Sequence, residues 1–265
     1  MSNDSEKWQW VDEDPIERLL HASTHARRHT PPAQSPAEIF RAAGRAQFEQ
    51  QRFEEAAGSF SAAVAAEPDH PAAHFDLAVC LEKLGQWKAA AFSFRRALEV
   101  DPSRAQALIG LGACLLHLDR ADEALACFGQ CLLSGDRQEP ALLGKAVALQ
   151  QLARYEEAHG IYRELLQNDP SAAEPLANLI ALSVARQDAA AVEEYSRRLL
   201  RVHPQSKAAL QGLALLAIRN GDQPAAIEYC RRLVEVDPDT FEGWFNLRFA
   251  QQRMTAAGQS ARSIA

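Results

Sequence analysis

No stretch of this 265-residue sequence approaches the ~20 consecutive apolar residues that a membrane-spanning helix needs, although 47% of its residues are apolar. A chain without a membrane span is therefore expected. The sequence opens Met1-Ser2-Asn3-Asp4-Ser5-Glu6-Lys7 with no apolar run behind the charges, so export through a signal peptide is not expected and a cytoplasmic location is. A basic surplus is missing as well. The 28 Lys and Arg against 35 Asp and Glu leave a net charge of −7, whereas nucleic-acid-binding domains carry a basic patch, so nucleic acid is not the expected partner. Five cysteines are too few and too odd in number for a disulfide framework. There is also no phosphate-cradling Gly-rich loop, no nucleophile elbow and no paired His-Glu metal motif. A non-enzymatic chain that needs no cofactor is the expectation.

What is present is a period. Pro68, Pro102, Pro170, Pro204 and Pro238 follow a spacing of 34 residues, with one missing beat at Asp136 inside Ser134-Gly135-Asp136. A fixed period of this length marks a stacked repeat architecture. Six windows of 34 on that beat cover residues 37–240, and each window repeats the same residue classes at the same offsets. The eighth position holds Gly44, Ala78, Gly112, Ala146, Ile180 and Ala214, and the twentieth holds Ala56, Ala90, Ala124, Ala158, Val192 and Ala226. Small residues at both places let two helices approach closely. Phe60, Phe94, Phe128, Tyr162, Ser196 and Cys230 at the twenty-fourth position are mostly bulky and fill the space around that contact.

Helical spacing supports the hairpins independently, in runs such as Leu77-Leu81-Leu84 and Ala90-Phe94-Ala97-Leu98. Gly85 and Gly221 stand where a first helix turns into a second, and each Asp-Pro or His-Pro pair ends a second helix. One hairpin cannot bury its apolar stripe alone, so the hairpins must stack.

The pattern resembles the tetratricopeptide repeat family. That repeat has 34 residues, small residues at positions eight and twenty, an aromatic at twenty-four and a proline at thirty-two, and Phe75-Asp76-Leu77-Ala78 through Ala90, Phe94, Ala97 and Asp101-Pro102 match nearly all of it. The resemblance implies an all-α, right-handed superhelical solenoid. Its repeats are 37–70, 71–104, 105–138, 139–172, 173–206 and 207–240, followed by a capping helix at 241–254 and a disordered tail at 255–265. Lys145 at position seven departs from the family pattern, and Ser183 and Ser196 make the fifth window the expected soft part of the stack.

Cys127 and Cys131 are four apart on one helix, with Cys114 a candidate third thiolate. No Cys-x-x-Cys or His pair accompanies them, and Cys131 occupies a small-residue position, so packing rather than a metal site is expected.

Residues 1–36 stand apart from the repeats. Asp14-Pro15-Ile16-Glu17 reads as a helix start, and His21, His25 and His29 recur on one face of that helix, as metal ligands or as an exposed polar face. A proline-rich linker, residues 30–36, leads into a capped start at Ser35-Pro36-x-Glu38. Trp8 and Trp10 in this acidic arm are aromatic anchors, for the chain's own groove or for a partner.

The resemblance also implies a concave binding surface built from the first helix of each repeat. Along the chain it reads Arg41 and Arg45; Phe75, Asp76 and Val79; Ile109 and Gly110; Leu143, Gly144 and Val147; Asn178 and Ala181; Gln211, Gly212 and Leu215; Phe245, Asn246 and Phe249. Such an apolar groove floored by small residues suits an amphipathic helix or an extended apolar peptide of a partner protein. The family's carboxylate clamp is not reproduced, because Asp76, Gln106 and Gly110 stand where asparagine, lysine and arginine are expected. The expectation is a protein-interaction scaffold, a monomer or weakly self-associating. The alternatives are a self-assembly module, or a regulatory adaptor of an enzyme encoded elsewhere.

Overall fold

The structure, a computed structural model, describes residues 35–133 and 139–264. The described residues form helices and no strands. Six hairpins follow the six windows: α1 Pro36–Glu49 with α2 Phe53–Ala66, α3 Pro71–Lys83 with α4 Trp87–Val100, and α5 Ala105–His117 with α6 Ala121–Leu133. Then come α7 Glu139–Gln151 with α8 Tyr155–Asn168, α9 Ala173–Ala185 with α10 Ala189–Val202, and α11 Lys207–Asn220 with α12 Gln223–Val236. The chain is thus the all-α repeat solenoid that its period predicts. The last helix, α13, runs Phe241–Ile264, so helix continues through residues 255–264, where a tail was expected.

Each turn from first to second helix is built the same way. Its key residue sits in the left-handed region at Gln51 (φ 60°), Gly85 (69°), Asp119 (56°), Ala153 (58°), Gln187 (58°) and Gly221 (72°). The next N–H then bonds five residues back, as in Arg154 N to Leu149 O at 2.8 Å and Asp222 N to Ala217 O at 2.9 Å, closing a Schellman-type cap. Only two of the six positions are glycine, so the composition marks two turns while the backbone makes six. An L-residue in this region costs roughly 1–2 kcal/mol relative to one that adopts it freely. Ala153→Gly should accordingly stabilise the chain by about 0.5–1 kcal/mol, read as a higher urea midpoint; a lower one would mean that glycine's added freedom in the unfolded chain outweighs the relief.

Side-chain caps start several helices: Ser35 Oγ accepts from Glu38 N at 3.3 Å, and Asp188 and Asp222 each accept from an N–H at 3.1 Å.

The core follows the offsets. Phe128 is buried between two hairpins: a Cβ added at Gly112 in its own would lie 2.6 Å from the ring, and one at Gly144 in the next would lie 2.3 Å away. Phe94 sits likewise against Gly110, where a Cβ would come within 2.3 Å. Gly110 and Gly144, read from the sequence as groove floor, are seats for these rings. In the fifth hairpin the volumes are exchanged. Ile180 supplies the bulk at position eight, Ser196 opposes it at position twenty-four, and both are buried. Ser196 Oγ has no hydrogen-bond partner among the described residues.

Repeats are also tied through the carbonyls of their prolines. Gln130, Arg198 and Arg232 each donate 28 residues back, to Pro102 O (3.1 Å), Pro170 O (3.1 Å) and Pro204 O (2.9 Å). His74 Nε2 and Trp244 Nε1 reach Pro68 O (2.6 Å) and Pro238 O (2.8 Å) in the same sense. First helices touch the first helices of the next hairpin, whereas second helices have no comparable contact with one another. The inner layer is therefore the row of first helices, and the concave face lies on it.

Candidate binding groove

At its N-terminal end the row is closed by its own charges. Arg41 is buried, and its Nε donates to Asp76 Oδ2 at 2.8 Å while Nη1 donates to Glu38 Oε1 at 2.5 Å. Arg45 reaches the same Asp76 oxygen at 3.4 Å, and His70 Nε2 lies 3.1 Å from Glu38 Oε1. Asp76 thus engages both arginines that were candidates for holding a carboxylate. Standing where the family pattern has asparagine, Asp76 joins both arginines in an internal salt-bridge network.

The next positions are covered by their own neighbours. Phe75 packs edge-on to Phe94 at 5.8 Å between centroids, and the Arg104 guanidinium covers its ring at 4.0 Å. Val79 and Ile109 are half-buried against the central core. Leu143 packs on the following cluster, and Val147 and Asn178 are half-buried.

The groove opens in the C-terminal half. A cavity of about 370 Å³ lies between α9, α11 and α13, lined by Ala177, Ile180, Ala181, Val184, Ala208, Gln211, Gly212, Ala214, Leu215, Leu233 and Asn246. It brings together Gln211 and Asn246 from the expected site with Leu215, which is 47% exposed. Space exists because positions five and nine, which carry Phe75 and Val79 in the second repeat, carry Ala177 and Ala181 in the fifth. That pair of alanines was the signal available in the sequence for a gap at this point. On α13, Phe245 is 60% and Phe249 38% exposed, with the Arg253 guanidinium 5.5 Å from the Phe249 ring. Trp8, Trp10, His21, His25 and His29 lie outside the described residues.

Four of the five thiols are shifted toward their protonated form. Burial, with Glu82 nearby, pushes the Cys114 thiol up to about 12, and burial also raises Cys80, Cys127 and Cys230. A thiol so placed packs as a small hydrophobe and is a poor nucleophile or metal ligand. Among the described residues there is no group of three His, Cys, Asp or Glu side chains arranged to hold a metal ion, and no helix long and apolar enough to cross a membrane.

These features define a helical-repeat groove protein. The family model for the tetratricopeptide repeat matches residues 41–93, 81–130 and 176–240, more than half of the chain, and the chain belongs to that family. No curated protein matches it in sequence. Among solved structures, it superposes on PilW, described as a widely conserved type IV pilus biogenesis factor, with a TM-score of 0.70 at 20% identity over 81% of this chain and 98% of the other. PilF from Pseudomonas aeruginosa aligns with a TM-score of 0.65 at 18% identity over 82% of this chain and 97% of its own. YrrB, described as a TPR protein with an unusual peptide-binding site, aligns with a TM-score of 0.52 at 16% identity over 71% and 97% of the two chains.

Proposed function

We propose that the protein is a non-enzymatic interaction scaffold that receives a segment of a partner protein in the C-terminal half of its concave groove. The open apolar cavity between α9, α11 and α13 carries this reading, since Ala177 and Ala181 leave room that Phe75 and Val79 fill in the second repeat. The fold provides a rigid row of first helices, and the site is a concave face rather than a set of catalytic groups. YrrB, with the same fold, is described as having an unusual peptide-binding site. A cytoplasmic setting belongs to the same proposal and is supported by five free thiols.

Ala181→Trp combined with Leu215→Glu tests the site. Both positions are exposed within the cavity, so the variant should keep its helical circular dichroism and melting midpoint while losing the proteins that the intact chain captures from native lysate. Undiminished capture by the folded variant would move the receptor surface elsewhere.

A further inference from the structure

Resting on that groove reading, we propose that the occupant is a basic segment, apolar on the side facing the groove, and that it extends beyond the concave cavity along the N-terminal edge of the first helices. Two more cavities prolong the site there. One of about 300 Å³ lies between α7 and α9, with Pro140, Leu143 and Leu165 in its apolar wall. The other, of about 680 Å³, occupies the equivalent place one repeat later, against Leu199 and Val202. They share Ala173 and Glu174, and the second shares Ala177 with the concave cavity, so the three adjoin one another along α9 and mark out one path.

Carboxylates dominate the rim of this path, with the His203 imidazole as its one basic side chain. Glu139, Asp169 and Glu174 stand on it, and no lysine or arginine among the described residues lines any of the three cavities. Neither Glu139 nor Glu174 makes an ion pair among the described residues. Of the bases close by in the chain, Lys207 pairs with Asp237 at 2.7 Å, Arg186 with Glu156 at 3.0 Å, and Arg198 donates to the Pro170 carbonyl at 3.1 Å, while Arg201 is exposed beside the second cavity without lining it. Asp169 accepts from Ser171 N (2.9 Å) and Ser171 Oγ (2.6 Å), and these bonds hold its carboxyl below the usual range and therefore ionised. Apolar floor and predominantly acidic rim together favour a partner that buries aliphatic side chains while presenting Lys or Arg to the edge.

The test uses two labelled synthetic peptides, one of leucine and lysine and one with glutamate in place of every lysine, followed by fluorescence anisotropy against the full chain at low and high salt. The leucine–lysine peptide should bind in a salt-dependent manner and the leucine–glutamate peptide should not. Glu139→Gln with Glu174→Gln should weaken binding roughly three- to tenfold. Glu228→Gln with Glu235→Gln on α12 makes the same change in net charge away from the cavities and should leave it unaltered. Equal loss in both double variants would reduce the effect to the chain's overall charge and overturn the proposal, as would failure of the leucine–lysine peptide to bind. Equal binding of both peptides, abolished by Ala181→Trp, would overturn the basic partner while leaving the groove as receptor. Binding of the leucine–lysine peptide that survives Ala181→Trp but falls with Glu139→Gln and Glu174→Gln would support the acidic edge and count against the concave cavity itself.

Discussion

Phe128→Ala should lower the free energy of unfolding by about 3–5 kcal/mol, the cost of emptying a large aromatic site in a packed core. The ring is 1% exposed and wedged between Gly112 of its own hairpin and Gly144 of the next, so two interfaces lose their filling at once. Glycines cannot collapse into the space with side chains of their own. In a stack whose stability is a sum of repeats and neighbour interfaces, the loss should be felt first around the site. Hydrogen exchange should speed up in α5, α6 and α7 before it does in α11 and α12, and the urea midpoint should fall. A midpoint unchanged in the Phe128→Ala variant would show that the ring does not bridge the two hairpins.

The converse substitution, Gly112→Leu, should overpack the same contact and cost on the order of 1–3 kcal/mol or more. Even a single added carbon at Gly112 would come within 2.6 Å of the Phe128 ring, and that ring has no empty side to move toward because Gly144 closes it from beyond. The fifth hairpin indicates how the two changes should combine. There the bulk stands at position eight in Ile180 and the small residue at position twenty-four in Ser196, and both are buried. Joining Gly112→Leu to Phe128→Ala recreates that exchanged arrangement, so the double variant should be more stable than the sum of the single losses predicts, by about 1 kcal/mol or more. Strict additivity in chemical denaturation would mean that the two residues do not share one packing site.

The repeats were legible because each is specified by side chains within a few dozen residues of one another, and the same complementarity of small and large is written four times and once more with the volumes exchanged. Turn chemistry was legible only at Gly85 and Gly221; Gln51, Asp119, Ala153 and Gln187 adopt the same left-handed backbone because the paired helices on either side dictate it. The groove was legible as a row of positions but not as an open surface. Phe75 and Ala181 stand at groove-facing offsets of their repeats, and nothing in the offset says that one is covered and the other bare.

By itself, then, the sequence determined the period, the helical hairpins, the positions of close approach and the departure from the clamp pattern at Asp76, Gln106 and Gly110, since these depend on local spacing and on residue type. Beyond the hint of Ala177 and Ala181, tertiary structure decided which part of the concave face is left uncovered. Arg104 lies across Phe75, Phe94 presses on Gly110, Asp76 draws in Arg41 and Arg45, and the alanines of α9 leave their space unfilled. Openness of a groove is a property of what neighbouring repeats place over it, and that is settled only when the repeats are stacked.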